Sequence, residues 1–100
     1  MYRKLRLCSN NGGYEAIPDP PHPLDLRNAR HRLEEVGVAV VDARVMLIAA
    51  TDPEVTISRN GRLLFKTRDA AAAERAFVRL QELLDLPPAE SSPPPARRSG

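Results

Sequence analysis

Aromatic residues make up only 4% of these 100 residues and tryptophan is absent, so aliphatic side chains must fill whatever core the chain builds. A single cysteine, Cys8, excludes an internal disulfide framework and agrees with a reducing compartment. No apolar run approaches the roughly 18 residues of a membrane span. The opening MYRKLRL alternates charge with apolar residues and does not supply the apolar stretch of a secretory signal. A cytoplasmic chain without a membrane partner is expected. Lysine is scarce too: beyond Lys4 and Lys66, arginine supplies the basic charge, and the net charge is +2. Arginine grips phosphate bidentately. The same bias, with abundant Ala, Val and Pro, also follows from GC-rich coding.

Clusters that carry chemistry are missing as well. His22 stands between prolines, His31 lies in a charged segment and Cys8 is alone, so no metal-ligand spacing arises. Cys8 has no base beside it to make it a nucleophile. Gly12-Gly13 carries neither a phosphate-loop nor a dinucleotide fingerprint. Asp42, Asp52 and Asp69 read as strand, turn and cap residues. The expectation is no enzyme, no cofactor and no metal.

What the chain does contain is periodicity. YRKLRLC (2–8) alternates, with Leu5 and Leu7 on one face and Lys4 and Arg6 on the other, the pattern of a half-buried strand. Residues 9–23 read as a long connection, flexible at Gly12-Gly13 and extended by four prolines. From Asp25 the period becomes helical through Leu26, Ala29, Leu33 and Val36, with Gly37 as terminator. VAVVDARVMLIAA (38–50) reads as one long strand, clearest at 43–49. Val55 and Ile57 then alternate with Thr56 and Ser58. Asn60-Gly61 is a hairpin turn in which both residues tolerate positive φ, and Leu63 and Phe65 face away from Leu64, Lys66 and Arg68. Asp69 caps a second helix with the stripe Ala73, Ala76, Phe77, Leu80, Leu83 and Leu84, which Pro87-Pro88 stops.

The order β-α-β-β-β-α predicts an α+β fold over residues 1–86. This is a two-layer sandwich, an antiparallel sheet with two helices on one face. PPAESSPPPARRSG (87–100) is too rich in Pro and Ser to pack and reads as a disordered tail. Alternation leaves Lys4, Arg6, Arg44, Lys66 and Arg68 on the open face with Thr56, Ser58 and Leu64. A basic, hydroxyl-bearing surface of that kind suits phosphate contacts.

These elements resemble one half-repeat of the TATA-box-binding protein family, whose hairpin runs apolar-x-apolar-x-x-x-Gly-[Lys/Arg]. Here Val55, Ile57, Gly61 and Arg62 match, followed by Leu63, Leu64 and the helix DAAAAERAFVRLQELL. The resemblance implies an open sheet face that lies in the DNA minor groove. Ser58 stands where a kinking aromatic belongs, with Thr56 beside it, and a groove-sized saddle needs a homodimer of this single half. The hairpin and helix are also similar to the C-terminal module of some ThiF-type adenylating enzymes. The expected function is therefore a non-enzymatic module that binds double-stranded DNA as a homodimer through the open basic face of its sheet. The alternative is an accessory protein-interaction module that partners an adenylating enzyme or another complex, or self-associates through a sheet edge.

Overall fold

The computed structural model describes residues 2, 5–8 and 12–87, Cys8 by its backbone alone; Lys4 and the tail from residue 88 lie outside the described residues. Two aspartates start the helices. Asp25 Oδ1 accepts from the amides of Arg27 (3.0 Å) and Asn28 (3.3 Å), and α1 follows as Leu26–Glu35. Asp69 Oδ1 accepts from Ala71 and Ala72 at the same distances, and α2 follows as Ala70–Leu84. Each cap contributes about 1 kcal/mol by satisfying amides that have no partner inside the helix. Gly37, at φ +85, ends α1 by donating its amide to Glu34. Asp85 takes the left-handed position after α2. Val36, expected in the core stripe, is 47% exposed because it follows the last turn of α1 as its C-cap.

The sheet is antiparallel throughout, so the described residues form an α+β fold with two helices, as periodicity predicts. The strands are β1 (Arg6–Cys8), β2 (Gly13–Ala16), β3 (Val40–Asp42), β4 (Met46–Ala49), β5 (Val55–Ser58) and β6 (Leu63–Phe65). They lie in the order β1-β2-β6-β5-β4-β3. The element order is thus β-β-α-β-β-β-β-α, two strands richer than expected.

The first addition, β2, falls inside the supposed connection 9–23. It pairs with β1 on one side and β6 on the other, setting Tyr14 against Phe65 and Ala16 against Leu63. Gly13 makes this approach feasible, since a Cβ there would lie 2.3 Å from the Phe65 carbonyl oxygen. The second addition comes from the supposed long strand 38–50, which folds back on itself as the β3–β4 hairpin. Ala43 N–H donates to Met46 O and Val45 N–H to Ala43 O, both at 2.9 Å, with Arg44 at the corner at φ +73.

The β5–β6 connection is one residue longer than the expected two-residue turn. Ser58 N–H donates to Arg62 O (2.9 Å) and Gly61 N–H to Ser58 O (3.0 Å). Gly61 alone takes positive φ, +94, while Asn60 Oδ1 accepts from the Arg62 amide. This is a three-residue loop closed by a left-handed glycine. The segment 22–24 runs alongside it, with His22 N–H donating to Asn60 O and Leu24 N–H to Arg59 O.

Val55, Ile57, Leu63 and Phe65 are fully buried, as alternation predicts, and share one core with Leu33, Leu47, Ala73, Phe77 and Leu80. Phe65 and Tyr2 both meet Phe77 edge to face, at 6.1 and 5.2 Å between ring centroids. Burying a side chain of this size contributes about 1.5–3 kcal/mol. Among the described residues, no helix is long and apolar enough to cross a membrane.

Candidate functional site

Strand register assembles the opposite face. Arg6 pairs with Glu15, Glu15 with Leu64, Leu64 with Thr56, Thr56 with Ile48 and Ile48 with Val41. Because side chains alternate along a strand, these six stand in one row across the whole sheet. Leu64, Ile48 and Val41 are absent from the core cluster that the inward residues form with the helices. Ser58 pairs with Met46 one row along. The centre of the face is therefore aliphatic and hydroxyl-bearing.

Its charges are largely matched. Glu15 is 8% exposed and accepts from Arg62 Nε (3.1 Å) and Nη2 (2.6 Å), while Arg6 Nε lies 3.8 Å from its other oxygen. Lys66 Nζ is 3.5 Å from Glu54 Oε2. Arg6, Arg62 and Lys66 thus face two carboxylates, and the row is nearly neutral where a basic surface was expected.

The expected site residues divide accordingly. Arg6, Thr56 and Leu64 share the central row, Ser58 and Lys66 flank it, and Lys4 lies outside the described residues. Arg68 stands beyond the end of β6, its guanidinium near Gly12. Arg44 is not on the face at all; it occupies the β3–β4 turn, where its amide donates to Asp42 Oδ1. Sequence reasoning missed Glu15, Arg62, Ile48 and Met46. Period-two alternation from Tyr14 and Ala16 would have found Glu15, and counting back from Leu64 would have found Arg62.

Tyr2 closes the other side of this hairpin. It is fully buried, its hydroxyl donates to the Gly61 carbonyl, and burial pushes its phenol up to about 12. Among the described residues no group of three His, Cys, Asp or Glu side chains could hold a metal ion. His31 meets Glu35 at 3.5 Å on the surface of α1. Comparison with protein-family models, curated proteins and solved structures returned no match.

Proposed function

We propose that the chain is a non-enzymatic protein-recognition module that self-associates through the β3 edge, joining two open faces into one surface. The observation that carries this reading is Val41. It continues the open-face row, it is 61% exposed, and it sits on the outermost strand. An edge strand presents a line of N–H and C=O groups without a sheet partner. Antiparallel pairing of β3 with its own copy about a two-fold axis is self-complementary, the commonest form of oligomer symmetry. The aliphatic row Leu64, Ile48 and Val41, rimmed by ion pairs at Glu15 and Glu54, has the apolar centre and polar rim of a protein interface.

Light scattering coupled to size-exclusion chromatography tests the reading. The wild type is expected to run as a dimer and Val41→Lys as a folded monomer, since a lysine on an edge opposes strand addition. A wild type that stays monomeric at high concentration overturns it.

Duplex DNA, with the TATA-box-binding likeness behind it, is the second reading. What favours it is that a dimer doubles the open face to groove size and that Arg68, Arg59 and Arg44 make no side-chain ion pair among the described residues. Anisotropy of labelled duplex at about 50 and 200 mM salt separates the two readings. A DNA binder weakens steeply with salt and loses affinity in Lys66→Glu/Arg68→Glu; a protein-recognition module shows no saturable DNA binding.

A further inference from the structure

Three arginines without side-chain partners among the described residues, Arg27, Arg44 and Arg59, are gathered in one place. The β3–β4 turn and the β5–β6 turn lie side by side, with Arg59 N–H donating to Val45 O at 3.3 Å. Together with the start of α1 they enclose an open cleft of about 770 Å³ lined by Arg27, Arg30, Arg44 and Arg59. Its two carboxylates are already engaged. Asp25 caps α1, and Asp42 accepts from the Arg44 amide and meets Arg30 Nη1 at 3.7 Å. Arg27, Arg44 and Arg59 have no side-chain hydrogen bond or ion pair among the described residues.

Arg44 adds a second, independent observation. With Val45 N–H bonded to Ala43 O and φ at +73, it is the central residue of a γ-turn with positive φ, a rare and strained conformation. Glycine would occupy it without strain. An arginine held there aims a long cation from the corner of the hairpin at a cost to the fold, and such outliers concentrate at binding sites.

A shelf adjoins the cleft and shares Pro23 and Arg59 with it. Val45 and Met46 form its apolar part, and Ser58 and Asn60 line its polar edge. Guanidinium forks match the geometry of phosphate oxygens, and a half-exposed aliphatic surface suits a flat organic group. Asp25 already satisfies the first amides of α1, so recognition falls to the arginines and not to the helix end.

We propose that this cleft binds a nucleoside di- or triphosphate, the arginines taking the phosphates and the Pro23–Val45–Met46 shelf the base. The proposal does not depend on self-association, because a single chain supplies every residue of the cleft and the shelf. Calorimetric titration of the full chain with ADP and, separately, with inorganic pyrophosphate tests it. ADP is expected to bind, pyrophosphate about tenfold more weakly, and both less tightly as salt rises. Arg59→Ala and Arg44→Gly are each expected to weaken ADP about tenfold or more. Arg44→Gly should at the same time raise Tm by a few degrees, so that lost binding cannot be lost folding. Absence of ADP binding, or both variants binding like the wild type, overturns the site. Equal binding of pyrophosphate and ADP overturns the shelf and identifies the ligand as free oligophosphate.

Discussion

Tyr2 ties the start of the chain to a turn 59 residues away, and removing its hydroxyl measures that tie. In Tyr2→Phe the ring keeps its edge-to-face contact with Phe77, while the Gly61 carbonyl loses its hydroxyl donor. A buried acceptor left without a donor costs about 1–3 kcal/mol. For a domain of this size each kcal/mol lowers Tm by about 4–8 °C. Tyr2→Ala removes the ring as well, and emptying a fully buried aromatic site costs about 3–5 kcal/mol. Urea unfolding followed by circular dichroism is the assay, and the denaturant slope should stay constant while the midpoint falls. If Tyr2→Ala lies within about 0.5 kcal/mol of the wild type, residue 2 does not close the core beside Phe77.

The same phenol predicts an alkaline limit. Its folded pKa, about 12, stands above its ordinary 10.0, so its contribution is complete below pH 10 and is lost as pH rises towards 12. In a Tyr14→Phe background, tyrosinate absorbance should therefore appear late and together with unfolding; titration without unfolding would refute the burial. Gly61→Ala should be severely destabilising, by about 2–4 kcal/mol or more. The new Cβ would lie 2.4 Å from the His22 carbonyl oxygen at a positive φ, and a near-normal midpoint by thermal denaturation would contradict both terms. Glu15→Gln should cost about 1–2 kcal/mol, between a surface pair and a fully buried one. Arg62 remains 41% exposed and can turn to water. Comparable salt sensitivity of the variant and the wild type in urea would show that the ion pair contributes nothing.

Much of the fold can be read from local pattern. Asp25 and Asp69 cap their helices because a short carboxylate reaches two free amides wherever a helix begins. Val55, Ile57, Leu63 and Phe65 go inward because a strand alternates, and Phe77 and Leu80 follow them because a helix repeats every 3.6 residues. These rules need no knowledge of distant residues.

Three decisions were made elsewhere in the chain. GYEA has weak strand propensity and prolines behind it, yet Gly13–Ala16 becomes β2 because β6, some fifty residues later, offers an edge. The sequence DARV offers Asp42 as a turn former but no glycine at the corner, yet the chain reverses at Arg44 because β4 must return beside β5. The charge of the open face, finally, was settled by register. Glu15 and Arg62 are 47 residues apart and meet only when β2 and β6 pair, so the sheet neutralises there while Arg44 and Arg59 stay unpaired at its turns. Periodicity by itself determined that Val55, Ile57, Leu63, Phe65, Phe77 and Leu80 turn inward. Tertiary pairing decided which charges remain available, because an ion pair depends on distance in space and not along the chain.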